Sequence, residues 1–188
     1  MSWSILIPIA LSSQIYLTNA SFEGEPQDAT VPTGWFACEL GTTPDILPGF
    51  WGVYSESSEG ETYLGLITRE DGTFESIGQR LKEPLKGGEC YSFFLDLAHS
   101  DTYSTYNQPL KLRIWGGSKK CAKEQLLLET KRVKHGDWKK YEVQFFAKST
   151  IQYILIEAFH TDGRFSYKGN ILIDNISPIK ACIRASLD

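Results

Sequence analysis

Two short stretches carry acidic side chains where a bound cation could use them. Residues 19–26 read Asn-Ala-Ser-Phe-Glu-Gly-Glu-Pro, and residues 170–179 read Asn-Ile-Leu-Ile-Asp-Asn-Ile-Ser-Pro-Ile. Both look extended, so Glu23 and Asp174 each project from a strand or its end. The charge distribution has two readings, a face that suits a bound cation or a face that is simply solvated. Glu23, Glu25, Asp28, Glu39, Asp45, Glu56, Glu59 and Glu61 all precede the first basic residue, Arg69, in a chain of net charge −4.

Catalytic signatures are missing. There is no G-x-S-x-G elbow, H-E-x-x-H or phosphate loop. His99, His135 and His160 lie in loops or at strand ends with no nucleophile marked out beside them. The expectation is therefore a protein that is not an enzyme. The basic stretches around Lys119, Lys131 and Lys139 alternate with apolar residues, as outward strand faces do. They do not form the dense patch that nucleic acid requires, and no segment after the first residues is apolar enough to span a membrane.

The four cysteines, Cys38, Cys90, Cys121 and Cys182, include no C-x-x-C pair, which argues against zinc. Four permit two disulfides in three connectivities and point to an oxidising, extracytoplasmic compartment. Residues 1–13 have either of two readings, a degenerate signal segment or an extra strand. The sequons at Asn19 and Asn175 fall in expected strands and are read as chance matches.

The elements that position these residues read as strands. Period-two patterns occur at 14–23, 50–55, 61–68, 74–81, 90–98, 109–116, 125–130, 138–146, 151–159 and 170–179, with Gly-, Asp- and Asn-containing turns between them. The 10 Phe, 9 Tyr and 5 Trp of this 188-residue chain fit the same bias. About ten strands without a convincing helix imply an all-β fold, an antiparallel two-sheet jelly-roll sandwich. One domain covers 14–180, followed by a tail at 181–188.

The N-A-S-F-E-G-E-P stretch with the later Gly34-Trp35, the I-x-Q-x-L…L-x-x-G-x-x-Y-x-F spacing over 77–93, and the closing Ile-Leu-Ile-Asp-Asn-Ile together resemble jelly-roll carbohydrate-binding modules of the 4/9/22 type. These belong to the wider galactose-binding-like group. Pro32–Cys38, Asp45–Gly49, Leu112–Gly117, Cys121–Leu127 and Asn170–Ile179 are also similar to N-terminal sandwich domains of surface proteins in gliding, type IX-secreting bacteria. The resemblance implies first and last strands side by side, with a structural Ca2+ held by Glu23 and Asp174. It implies a secreted or cell-surface protein that binds a polysaccharide or glycan without catalysis, by aromatic stacking and polar contacts. The related modules use a concave sheet face, which here would offer Trp115 with Gln79, Arg113 and Glu157. The loop 99–109 offers Tyr103 and Tyr106, and the loop 159–169 offers Tyr167. The alternative is a structural or adhesive module with protein partners in a surface assembly. For the disulfides, Cys90 opens one strand and Cys121 follows another that is expected to be its antiparallel neighbour, so Cys90–Cys121 and Cys38–Cys182 are the expected pairs.

Overall fold

The computed structural model describes residues 14–160 and 165–182. The expected segment at 1–13 and the tail from 183 lie outside the described residues. Thirteen strands, and no helix, form within them: β1 Gln14–Ile15, β2 Phe36–Ala37, β3 Asp45–Leu47, β4 Tyr63–Thr68, β5 Ser76–Leu85, β6 Cys90–Ala98, β7 Gln108–Pro109, β8 Lys111–Gly117, β9 Gln125–Glu129, β10 Lys139–Phe146, β11 Ile151–Phe159, β12 Gly169–Asp174 and β13 Ile179–Ala181.

They build two facing sheets. The eight-stranded sheet runs β1-β13-β6-β12-β4-β3, with β10 on β6 and β7 beside β12; the five-stranded sheet runs β2-β5-β11-β8-β9. β6 is paired along one edge by β10, while β12 and β13 share the other. All the strand pairs are antiparallel except β7 with β12. Alternation puts Leu64, Leu66, Leu95, Leu97, Ile171 and Ile173 of one sheet against Ile77, Leu81, Leu112, Ile114, Ile154 and Ile156 of the other, all buried. This is the expected all-β sandwich. The first and last described strands also lie side by side, with β1 pairing β13 through Gln14–Lys180 and Ile15–Ile179.

Two expected strands are interrupted by turns. The 14–23 run stops after Ile15 because Asn19 (φ 50°) and Phe22 (φ 56°) turn left-handed. The Asn19 side chain then clips the turn, accepting from the Glu23 amide at 2.8 Å and donating to the Glu23 carbonyl at 3.0 Å. Asparagine tolerates this conformation, and buried Phe22 is held in it by packing against Trp35. The 50–55 run is broken by Trp51 (φ 54°) and Gly52 (φ 82°). β2 and β3 are too short to show a period.

A second apolar cluster sits outside the sandwich. Tyr63 and Ile67 of β4, Leu47 of β3, Ala98 of β6 and Leu172 of β12 face outward and are covered by Val53 and Tyr103. The loops 48–61 and 99–107 thus lie across the outer face of the eight-stranded sheet.

The disulfides differ from the expected pairs: Cys38 joins Cys121 and Cys90 joins Cys182, with Cα–Cα separations of 5.2 and 5.3 Å. The reason is sheet assignment. The neighbours of β6 are β10, β12 and β13, whereas β8, which leads to Cys121, lies in the other sheet. Cys90 and Cys121 therefore belong to opposite layers.

Candidate ligand-binding site

The outer face of the five-stranded sheet brings together three of the expected ligand contacts. Arg113 on β8 stands opposite Glu157 on β11, and Trp115 stands opposite Leu155. This face is closed, however. Loop 118–124 is stapled to the β2 side by Cys38–Cys121, and Lys123 reaches under it to pair with Glu157 and with Glu39. Leu155 and Glu157 are consequently buried although they point away from the core. Arg113 is bound by Glu129 at 2.7 Å and lies over the Phe159 ring, 3.2 Å from its centroid. The Trp115 Nε1 is buried without a hydrogen-bond partner among the described residues. A β-carbon on Gly117 would strike the Ala122 carbonyl, so only glycine lets the strap lie this close.

Gln79 lies on the other side of its strand. Its amide accepts from the Thr18 amide at 2.7 Å and donates to the Thr18 and Gly34 carbonyls at 2.8 and 3.1 Å, so it fastens the first turn to β5. Tyr167 is half-buried, donating to the Pro109 carbonyl at 3.2 Å with its ring 5.4 Å from that of His160.

The loops over the eight-stranded sheet form an open site instead. A cavity of about 100 Å³ is lined by Ala29, Thr43, Asp45, Trp51, Ile67, Arg69, Tyr103 and Tyr106. Tyr103 is its buried floor, and the phenol donates to Asp45 Oδ2. Asp45 Oδ1 accepts from the Ala29 amide at 2.8 Å. Burial pushes the Asp45 carboxyl above its usual range, against these hydrogen bonds, and pushes the Tyr103 phenol well above its own. Arg69 donates to Glu75 at 2.7 Å and to Thr43 Oγ1 at 3.1 Å. Trp51 is 46 % exposed at the rim. The rim loops hold each other: Ser104 N donates to the Trp51 carbonyl and Thr102 Oγ1 to the Gly52 carbonyl, both at 2.7 Å. Beneath them, fully buried Asn170 donates to the Ser100 and Tyr106 carbonyls at 2.8 and 2.7 Å and accepts from the Ser100 amide at 3.0 Å.

Of the residues in and under this pocket, Tyr103 and Tyr106 are among the expected ligand contacts, whereas Asp45, Trp51, Arg69 and Asn170 are not. One available signal was Asp45-Ile46-Leu47-Pro48-Gly49-Phe50-Trp51, a carboxylate and an indole on either side of a Pro-Gly turn.

Glu23 and Asp174 flank one loop, 57–61. Asp174 Oδ2 accepts from the Ser58 and Glu59 amides at 2.8 and 2.9 Å, and the Glu23 carboxylate accepts from the Glu61 amide at 3.1 Å. Beside Asp174 in register, Asp96 accepts from Ser58 Oγ and Asn175 Nδ2 at 2.7 and 2.9 Å. No lysine, arginine or histidine among the described residues forms an ion pair with any of the three. Burial pushes the Asp174 carboxyl up to about 6, and the Glu23 charge adds to the effect. Among the described residues no three acidic, His or Cys side chains cluster as a metal site, so any bound cation would need backbone carbonyls as well.

No known family model matches the chain and no curated protein matches its sequence. Several solved structures share its architecture. A cyclase from Fischerella sp. TAU is similar at 17% identity and TM-score 0.59, over 91% of this chain and 98% of that one. The K3 cleaved adhesin domain of Lys-gingipain from Porphyromonas gingivalis w83 is similar at 15% identity and TM-score 0.58, over 89% and 98%. The CBM22-1 xylan-binding domain from Paenibacillus barcinonensis is similar at 16% identity and TM-score 0.52, over 88% and 94%. The chain thus has the jelly-roll sandwich fold found in carbohydrate-binding modules and gingipain adhesin domains.

Proposed function

We propose that this protein is a non-catalytic, extracytoplasmic glycan-binding module whose binding site is the loop pocket around Trp51. The observation that carries the reading is a half-exposed indole beside a walled cavity bearing a carboxylate, a guanidinium and a hydroxyl. An indole stacks on the apolar face of a pyranose, while Asp45, Arg69 and Thr43 supply planar and hydroxyl hydrogen-bonding groups around it. The rim is also built at conformational cost. Ala29, Trp51 and Thr105 are non-glycine residues at φ 48°, 54° and 63°, and such residues concentrate at functional loops. The strapped face of the five-stranded sheet leaves Trp115 and Glu157 no room to act as a stacking platform. Two disulfides and the fold shared with a xylan-binding domain and an adhesin domain support secretion or surface display.

The test is a printed glycan and polysaccharide array probed with the purified protein and its Trp51→Ala variant. Selective binding by the first and a loss of roughly tenfold or more in the second are expected. A blank array from folded protein would favour the protein-partner reading.

Calcium is proposed as a structural tie between the chain ends. Glu23 and Asp174 would hold it together with nearby carbonyls, and it would supply the positive charge that neither carboxylate finds among the side chains. The folded Asp174 value of about 6 lies above the ordinary 3.8, so the fold favours the protonated acid. That contribution is fully present below about pH 4 and is lost as pH rises through about 6. In chelator, the melting temperature should decline across this window relative to Asp174→Asn. Calcium at pH 7 should raise it by several degrees, and Glu23→Gln should abolish the response. No shift at millimolar calcium would remove the ion from the account.

A further inference from the structure

The charges lining the loop pocket do not cancel. Arg69 is already neutralised, because its Nη2 lies 2.7 Å from Glu75 Oε1 and Glu75 is buried. Asp45 is the remaining charge. It is 5 % exposed, and the groups that satisfy its oxygens, the Ala29 amide, the Tyr103 phenol and the Trp51 indole N–H, are all neutral. No lysine, arginine or histidine among the described residues forms an ion pair with it. Asp28 also acts on it, and that charge is negative too. Isolated carboxylates are expensive to bury, so a cation that entered here would meet a site already built for it.

The remaining walls suit one kind of cation. Trp51, Tyr103 and Tyr106 line the same cavity as the carboxylate, with the two tyrosine rings edge to face at 6.2 Å. Aromatic faces attract ammonium groups through their quadrupoles, most strongly for tryptophan and when water is excluded. At about 100 Å³ the cavity holds a single small head group and no more of a ligand than that. Inorganic cations gain little here, since only one carboxylate is offered and hard ions want six or more oxygens.

We propose that the pocket under Trp51 captures a small alkylammonium group carried by the bound glycan, either the protonated amine of an amino sugar or a quaternary ammonium substituent. Asp45 would neutralise the charge, while Trp51, Tyr103 and Tyr106 would enclose the methyl or methylene groups. The identity of the carrier rests on the glycan reading above; the recognition of the ammonium does not.

The test is a titration of the full chain, followed by calorimetry and by the Trp51 indole N–H resonance. The probes are choline, tetramethylammonium and methyl glucosaminide, each against a neutral counterpart: 3,3-dimethylbutan-1-ol for choline and tetramethylammonium, and methyl N-acetylglucosaminide for methyl glucosaminide. The cations should bind roughly tenfold or more tightly than their counterparts. Asp45→Asn and Trp51→Ala should each remove that preference, the second standing in if the first fails to fold. The stronger of choline and the glucosaminide identifies the source of the ammonium. Equal affinity for charged and neutral probes, or no binding of any cation, would overturn the inference. If the array had meanwhile returned a neutral glycan, the glycan reading would survive that result. A blank array with clear ammonium binding would do the reverse.

Discussion

Serine at both Cys38 and Cys121 should lower the free energy of unfolding by about 4 kcal/mol. The bridge closes a loop with a sequence separation of 83 residues, and a cross-link of that span removes much of the freedom of the unfolded chain. It also fastens the strap 118–124 over the outer face of the five-stranded sheet. The strap keeps a second anchor in the ion pair of Lys123 with buried Glu157, so the double variant should still fold. What should change is local. Amides in 118–124 should exchange faster, and Trp115 should become open to quenching. Urea unfolding of the oxidised protein and of the double variant measures the global term, and hydrogen exchange the local one. Equal unfolding midpoints would mean that the bridge contributes nothing beyond the packing around it.

Asn170→Leu is expected to cost about 3 kcal/mol or more, and to cost binding as well. The side chain is fully buried and makes three hydrogen bonds, all to the backbone of the loop that carries Tyr103 and Tyr106. Leucine matches its size but leaves the Ser100 amide and two carbonyls without partners, and each such buried group costs about 1–3 kcal/mol. The loop must then move to find water. Its ties to Trp51 and Gly52 through Ser104 and Thr102 would carry the disturbance to the opposite rim. Binding should therefore fall even at temperatures where the variant is fully folded. A destabilised variant with unchanged affinity would show that the pocket does not depend on this support.

The strands that could be read directly are those with one face in the core and clear turns at both ends. β6 and β11 match their expected spans, 90–98 and 151–159, residue for residue. The faces of β8 were legible too, since Leu112 and Ile114 point inward and Arg113 and Trp115 outward. Which sheet each strand joins was not legible. That choice depends on contacts distant in sequence, and it alone decided the cysteine pairing. The turn at Asn19–Glu23 was hidden for a different reason. Phe22 occupies a conformation that its own residue type disfavours, and the surrounding packing holds it there. The closed sheet face follows from Lys123 and Cys121, residues of a polar loop whose sequence says nothing of where it lies. The pocket was half visible. Tyr103 and Tyr106 stood out among small polar neighbours, whereas Asp45 becomes a pocket residue only once β3 sits beside β4 under two crossing loops.

The central claim is that ligand enters the loop pocket over the eight-stranded sheet and not the face of the five-stranded one. Chemical-shift mapping with the best-retained glycan of the array tests it directly. The account predicts perturbations centred on the Trp51 indole, Asp45, Tyr103 and Tyr106, with β8 and β11 unmoved. Perturbations centred on Trp115, Arg113 and Glu157, with the loop pocket silent, would contradict it.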